Sequence, residues 1–242
     1  MRKGLTEIVL VLDRSGSMQS IRHDAEGGLQ AFVRDQRKAP GEAHLTFYRF
    51  DDTVERVLED VNLQFVQDVQ LKLEPRGSTA LFDALARAIN EVGERLSRRS
   101  EAERPEHVVV LAVTDGEENA SKEYPRWHSS FLNSAYGQWL GLGSDGASRI
   151  AAMIKRQREQ YNWQFVFIGS TEESIKTAQD LGYGYSVTLA NSPTGSSYRT
   201  SYNIMSSNVT AMRSGGGAQS LNFTEEQRAK AKDDVVNTAK SA

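Results

Sequence analysis

Three short segments of the sequence carry carboxyl and hydroxyl side chains in patterns suited to holding a metal ion. They are Asp13-Arg-Ser15-Gly-Ser17, Gly77-Ser-Thr79 and Thr114-Asp115-Gly116. Two carboxylates, three hydroxyls and water would form an all-oxygen octahedral shell, which suits Mg2+ and Mn2+. Mg2+ is therefore the expected ion, with Mn2+ or Ca2+ as alternatives. The candidate ligands are Asp13, Ser15, Ser17, Thr79 and Asp115.

Each of these segments is expected to lie at the end of a strand or at the start of a helix. The apolar run 8–12 predicts a strand buried on both faces, and the first segment follows it directly. Run 108–113 is the most strand-like in the chain and leads into the third segment. The second segment precedes a helix predicted over 81–96. Ligands in open α/β sheets gather outside the carboxyl ends of strands, so the segments meet there if the two strands are neighbours.

The rest of the chain predicts further strands that alternate with helices. The additional strands are expected at 44–50, 53–58, 164–168 and 185–189, and the additional helices at 20–38, 147–161, 172–181 and from 224 onward. Strand 53–58 is expected to form a hairpin with the strand before it. This order predicts a doubly wound α/β fold with a mostly parallel six-stranded sheet, one antiparallel edge strand and helices on both faces.

Length and composition favour a single domain over 1–242. The chain has 242 residues, of which 38% are hydrophobic and 25% charged, enough for one sizeable core. The aromatic- and Gly-rich segment at about 124–147 is interpreted as an insertion that contributes to partner recognition. Residues 214–242 are interpreted as a C-terminal helical extension, whose first part, 214–218, is predicted to be a flexible connection.

Together, the three segments resemble the metal-ion-dependent adhesion site of von Willebrand factor A (VWA) domains. The resemblance covers about residues 6–189 and includes the order and the intervals of the segments. It implies that Ser15, Ser17 and Thr79 coordinate the ion directly, and that Asp13 and Asp115 do so partly through water. It further implies a protein partner that offers an Asp or Glu to the metal, and in some members a shift of the last helix. The phrase Thr-Asp-Gly-Glu-Glu-Asn-Ala-Ser resembles intracellular bacterial and phage members.

Composition and charge argue against several other classes of partner and location. The formal net charge of −3 gives no general attraction to nucleic acid or to an anionic membrane surface, so neither is expected as a partner. The absence of cysteine excludes disulfides and Cys-based zinc sites and fits a reducing compartment. The first apolar run is too short for a signal peptide. We therefore expect a cytoplasmic protein.

Two other functions remain open at this stage. A metal-assisted phosphohydrolase would need a general base near the ion, for which Glu117 and Glu118 are the only nearby candidates by sequence. A structural domain with a vestigial site is the other alternative. The G-x-G-x-x-G match at 141–146 lacks a preceding strand, and the four histidines have no metal-ligand spacing, so surface or packing roles are expected for them. The favoured interpretation is a metal-dependent protein-binding module without enzymatic activity.

Overall fold

The computed structural model describes residues 1–126 and 145–238 of the chain. Its strands are β1 (Arg2–Asp13), β2 (Glu42–Phe50), β3 (Val54–Asn62), β4 (Pro105–Thr114), β5 (Gln164–Gly169) and β6 (Thr188–Ala190). They form one sheet in the order β3-β2-β1-β4-β5-β6. Only the β2–β3 pair is antiparallel in this sheet, and β3 lies at its edge. The predicted six-stranded, mostly parallel sheet is confirmed.

Helices cover both faces of this sheet. In the described ranges they are α1 (Arg22–Lys38), α2 (Leu81–Ser97), α3 (Gly146–Tyr161), α4 (Glu172–Asp180), α5 (Gly195–Ala211) and α6 (Glu225–Thr238). Buried side chains of α1 and α5 belong to the core on one face, whereas those of α2, α3 and α4 belong to the core on the other. The fold is therefore a three-layer α/β arrangement.

Strand β1 lies at the centre of the sheet, and its side chains alternate between the two cores. Ile8, Leu10 and Leu12 belong to the core under α1 and α5, and Val9 and Val11 belong to the core under α2. All five are fully buried. Burying a large apolar side chain contributes about 1.5–3 kcal/mol, so this short run anchors both layers. It also fixes the position of Asp13, the last residue of the strand.

The first helix begins and ends where the sequence provides physical reasons. A 3-10 turn over Gly16–Ile21 leads from the end of β1 into α1. The helix buries Ala25, Leu29 and Phe32, which lie about one turn apart. It ends at Lys38, and the next residue, Ala39, has extended backbone angles because it precedes a proline.

Helix α5 is the main element that the sequence analysis missed. It packs against α1, where a Cβ atom on Gly28 would lie only 2.6 Å from Cδ2 of Tyr202. Four of its buried core positions recur at intervals of four and three residues, Tyr198, Tyr202, Met205 and Val209, and Met212 just after the helix continues this spacing. Most of its other residues are Ser, Thr and Asn, which have low intrinsic helix propensity and obscure this pattern.

The C-terminal segment folds back onto the edge of the sheet. Thr224 caps α6 as predicted, since its hydroxyl accepts from the Gln227 N–H at 3.2 Å and its own N–H donates to Gln227 Oε1 at 3.0 Å. From α6, Arg228 donates to the carbonyls of Thr188 and Tyr185, which lie in and just before the edge strand β6. The helix thereby occupies polar groups of an edge that would otherwise be open to another strand.

Two predictions at the loop level have different outcomes. Residues 214–216, the first part of the connection predicted to be flexible, belong to a short π-helical segment, Met212–Gly216, that follows α5 and is kinked at Gly215. The proposed insertion at about 124–147 falls largely outside the described residues, as does most of the glycine pattern at 141–146.

Over the described residues, no helix is both long and apolar enough to span a bilayer.

Candidate metal centre

The candidate site lies where β1 and β4 end side by side. The two strands are parallel neighbours, with Leu12 opposite Val113. Asp13 ends β1, and Asp115 follows Thr114, the last residue of β4. The chain leaves β1 toward β2 on one side, whereas β4 lies on the other, so this is a point where the strand order reverses. The first and third candidate segments therefore meet at the carboxyl edge of the sheet.

Asp13 is completely buried and held by two hydrogen bonds. Its Oδ1 accepts from the Ser15 N–H at 2.6 Å, and its Oδ2 accepts from the Thr114 hydroxyl. Burial raises the pKa of Asp13 to about 7, and the nearby Asp115 carboxylate adds to this, whereas the hydrogen bonds from Thr114 and Ser15 lower it. A cation beside this carboxyl would favour its charged form.

A chain of hydrogen bonds connects the two serines to the second carboxylate. Ser15 Oγ lies 3.0 Å from Ser17 Oγ, and Ser17 Oγ donates to Asp115 Oδ1 at 2.8 Å. Burial also raises the pKa of Asp115. The side chains of three predicted ligands thus contact one another, and the backbone N–H of Ser15 connects the fourth, Asp13.

Thr79 reaches the same point from the start of α2. A Cβ atom built on Gly116 would lie 2.7 Å from Thr79 Oγ1 and 3.3 Å from Asp13 Oδ2. The hydroxyl and the carboxylate therefore both flank Gly116, and only a glycine leaves this space free. The second loop also contacts the first, since the Gly16 N–H donates to the Gly77 carbonyl at 3.1 Å. The structure brings all five predicted residues together.

The chemistry of this donor set fits a hard divalent cation. The described partners of the two carboxylates are hydroxyl and backbone N–H groups. The buried carboxylate of Asp13 and the half-buried carboxylate of Asp115 have neutral partners, which leaves negative charge that a cation would compensate. The available donors are all oxygens, as Mg2+, Mn2+ and Ca2+ require. Asp13, Ser15, Ser17, Thr79 and Asp115 are the residues that would hold such an ion.

The backbone of Thr79 is fixed by the segment that follows Asp115. Its N–H donates to Asn119 Oδ1 at 3.0 Å, and its carbonyl accepts from the N–H groups of Asn119 and Ala120 at 3.0 and 3.2 Å. Asn119 thus links the third candidate segment to the second. Sequence reasoning did not assign a role to this residue.

Glu118, considered above as a general base, serves instead as a cap for backbone groups. It is buried, and its Oε2 accepts from the Phe82 N–H at the start of α2 at 2.8 Å and from the Ser121 hydroxyl at 2.7 Å. Its Oε1 accepts from the N–H groups of Ala120 and Ser121. Both oxygens are therefore occupied in holding the loop against α2. Glu117, the other candidate, is exposed.

No protein-family model and no curated protein matches this sequence. Several solved structures, however, match this chain in fold. The D319A mutant of the PilB minor pilin from Streptococcus sanguinis superposes with a TM-score of 0.60 at 9% identity, over 90% of this chain and 64% of that one. The vWF domain of the type V pili tip protein Mfa5 from Porphyromonas gingivalis matches with a TM-score of 0.56 at 12% identity, over 91% of this chain and 97% of that domain.

A third match is proximal thread matrix protein 1 from the mussel byssus, in a structure with a zinc-occupied MIDAS motif. Its TM-score is 0.52 at 16% identity, over 78% of this chain and 42% of that one. This chain has a VWA-type fold. It spans less than two thirds of the pilin and of the byssus protein. At these identities, the likeness concerns the fold alone.

In this VWA-type fold, helix α5 lies directly behind the candidate site. Tyr198 of α5 is fully buried, and its hydroxyl donates to Ser170 Oγ at 3.1 Å, just after β5. Its pKa is raised well above the ordinary value, first by burial and then by the carboxylates of Asp115 and Asp13. Tyr198 therefore belongs to the surroundings of the site, although the sequence analysis did not single it out.

A second cluster of titratable groups lies between β1, β2 and β3. Ligand atoms of Glu7, His44 and Asp60 lie within 4.8 Å of one another. His44 Nδ1 lies 2.7 Å from Asp60 Oδ1, and Arg95 Nη2 donates to Glu7 Oε1 at 2.7 Å. The pKa of His44 is raised, mainly by its hydrogen bond to Asp60. Because arginine and histidine already compensate these carboxylates, the cluster is an ion-pair network with a packing role.

Proposed function

We propose that this chain is a metal-dependent protein-binding module. A divalent cation, Mg2+ by our assignment, is held at the carboxyl ends of β1 and β4. It receives an Asp or Glu side chain of a partner protein at an open coordination position. We further propose that the chain acts in the cytoplasm and is not an enzyme. The absence of cysteine agrees with a reducing location.

One observation carries this proposal: oxygen-bearing side chains from three distant segments lie close together. Hydrogen bonds join Asp13, Ser15, Ser17 and Asp115, and Thr79 and Asp13 both flank Gly116. Helix capping or turn formation would account for one such segment. It does not explain why hydroxyls and carboxylates that follow β1, follow β4 and precede α2 lie at one point of the sheet edge. A shared cation explains the set.

The small number of negative charges supports partner binding through the ion. Two carboxylates and three neutral hydroxyls would leave a divalent ion electrophilic, so an additional carboxylate completes its shell favourably. We propose that a partner protein supplies this additional carboxylate. Two of the structural neighbours are pilus proteins by name, which agrees with a role in protein assembly.

The first experiment measures metal binding by isothermal titration with Mg2+, Mn2+, Ca2+ and Zn2+. Wild type should bind at one site, and Asp13→Ala should not bind. Asp68→Ala removes an exposed carboxylate from a 3-10 turn away from the site and serves as the matched control. Equal binding by all three proteins would refute the proposed site.

The second experiment tests the partner. Proteins retained from a lysate by wild type in Mg2+ should be released by EDTA and should be absent with Asp13→Ala. Partners that persist under both conditions would show that binding does not pass through the ion. Turnover of p-nitrophenyl phosphate, lost on Glu117→Gln, would favour a phosphohydrolase instead. The use of Glu118 as a backbone cap leaves that alternative with a single exposed candidate base.

A further inference from the structure

Asp51, the first residue after β2, is a completely buried carboxylate that contacts two arginines. Its Oδ2 accepts from Arg14 Nε at 3.0 Å and from Arg76 Nε at 2.7 Å. Its Oδ1 accepts from the N–H and hydroxyl of Thr53 at 2.8 and 2.7 Å. We refer to Asp51, Arg14, Arg76 and Thr53 as the Asp51 network.

Arg14 stands between two proposed metal ligands in the sequence, Asp13 and Ser15. It is only 1% exposed, and its side chain reaches Asp51 and, at 2.8 Å, Glu55 Oε2. A buried guanidinium is costly unless carboxylates compensate it. The ion pairs with Asp51 and Glu55 hold the Arg14 side chain against β2 and β3. They therefore also fix the backbone of the neighbouring residues Asp13 and Ser15.

Asp51 also contacts the loop that carries Thr79. Arg76 lies three residues before Thr79, and Asp51 accepts from it. The Asp51 carbonyl accepts from the Ala80 N–H, directly after Thr79, at 2.7 Å. The two loops are further joined by the Arg76 N–H, which donates to the Arg14 carbonyl at 2.8 Å. One residue thus contacts both loops that bear the hydroxyl ligands.

Charge gives the Asp51 network a second effect. Arg14 and Arg76 belong to the same loops as the proposed ligands of a divalent cation. Interactions between buried charges are screened far less than those between exposed ones. Without the Asp51 carboxylate, the buried guanidinium of Arg14 would be compensated by Glu55 alone and would oppose entry of the ion, whereas the Arg76 side chain is exposed and its charge is screened more strongly.

We propose that Asp51 is a positioning residue for the metal, acting through Arg14 and Arg76 without touching the ion. Its carboxylate holds the two ligand loops against each other and neutralises the positive charge within them. This inference rests on the proposed metal site.

The test compares Mn2+ dissociation constants, measured by electron paramagnetic resonance of free Mn2+, with thermal unfolding. Asp51→Asn keeps the size of the side chain but removes its charge, and should raise the Kd at least tenfold, or about 1.4 kcal/mol. The matched control is Glu7→Gln, which removes another buried carboxylate paired with an arginine. Glu7 lies about 20 Å from Asp13 along β1, by the rise of about 3.3 Å per residue. This control should lower stability and leave the Kd unchanged.

A milder variant covers the case in which Asp51→Asn does not fold. Thr53→Val removes only the hydroxyl that orients Asp51 Oδ1, at an exposed turn, and should raise the Kd two- to fivefold. An unchanged Kd for folded Asp51→Asn, or for Thr53→Val if the former is unfolded, overturns the positioning role while the metal site stands. If wild type binds no Mn2+, the proposed metal site is wrong, and the positioning role fails with it.

Discussion

Replacing Gly116 by alanine tests whether the space beside this residue holds the metal. An alanine Cβ at this position would lie 2.7 Å from Thr79 Oγ1 and 3.3 Å from Asp13 Oδ2. Gly116 is not among the glycines with positive φ, so alanine strains no backbone angle there. The effect of the substitution is therefore steric and is directed at two proposed ligands.

The size of the effect follows from how far Thr79 must move. Its hydroxyl would have to retreat by about 0.7 Å to reach the ordinary contact distance of 3.4 Å. Mg2+ demands near-ideal octahedral geometry at about 2.0–2.1 Å, so such a shift would break the proposed bond from the hydroxyl to the ion. Thr79 is 3% exposed and its backbone is held by Asn119 and Ala120, so the loop cannot easily follow. Overpacking costs about 1–3 kcal/mol, and if this cost falls on the metal-bound state it predicts a loss of roughly 5- to 150-fold in metal affinity.

The assay is isothermal titration with Mn2+, together with thermal unfolding in EDTA. Gly93→Ala is the matched control, because a Cβ at Gly93 in α2 meets only Gln157 Nε2 at 3.8 Å. That variant should bind Mn2+ like wild type and gain about 0.5–1 kcal/mol in stability, since glycine is unfavourable inside a helix. A folded Gly116→Ala protein with wild-type affinity would show that the ion does not lie beside Gly116.

Three further predictions concern charge, pH and packing. Asp13→Asn should abolish the rise in Tm that Mg2+ produces while lowering the metal-free Tm little, because an ionised carboxylate is unfavourably buried there without a cation; differential scanning calorimetry with and without Mg2+ measures both. The pKa of His44 is raised, so its stabilisation is complete below its unfolded pKa near 6.5 and disappears as pH rises through the folded value. The gap in urea midpoint between wild type and His44→Gln should therefore be wider at pH 6 than at pH 9, and an equal gap would contradict this. The Tyr202 hydroxyl is buried with no hydrogen-bond partner in the described structure, so Tyr202→Phe should raise the unfolding free energy by about 1 kcal/mol. Tyr198→Phe should lower it by about as much, because the bond to Ser170 is lost; urea unfolding distinguishes the two.

The parts of the fold that local patterns determine could be predicted. The run 8–12 is continuously apolar because β1 is buried on both faces, and the structure divides these residues between the two cores. The turn residues after β2 and the alternation beyond it correctly indicated an antiparallel hairpin. The short edge strand β6 carries less information, and a 3-10 turn occupies the first residues of its predicted range.

The Ser, Thr and Asn content of α5 obscures its helical pattern in the sequence. Tyr198, Tyr202, Met205 and Val209 follow the spacing of a buried helical stripe and are at most 1% exposed. The intervening Ser, Thr and Asn residues favour turns and caps when considered locally. Burial against α1 outweighs that preference, since most helical stability in proteins comes from packing of one face. The spacing of four and three residues between these apolar side chains is the signal that identifies this helix in the sequence.

The candidate ligands were predictable from sequence, but the residues that hold them were not. Asp13 and Asp115 follow strand ends, and that position is visible in the sequence. By contrast, Asp51 contacts Arg14 across 37 residues, and Glu118 contacts Phe82 across 36. No local pattern specifies such contacts, because they depend on which loops the folded sheet brings together.

These supporting contacts have a consequence for how the site would work. The Asp13 carboxylate is oriented by Ser15 and Thr114, and Thr79 by Asn119, through hydrogen bonds within the protein. Ordering a loop normally consumes part of the free energy of binding, and that cost is reduced when folding has already ordered the ligands. In the proposed mechanism, the free energy gained when a partner carboxylate binds the cation is therefore not reduced by a cost of ordering the ligand loops, and it contributes to the affinity for the partner. The same rigidity would make the metal affinity sensitive to small displacements. A rigid loop cannot adjust to compensate when a substitution moves a ligand hydroxyl by a fraction of an ångström.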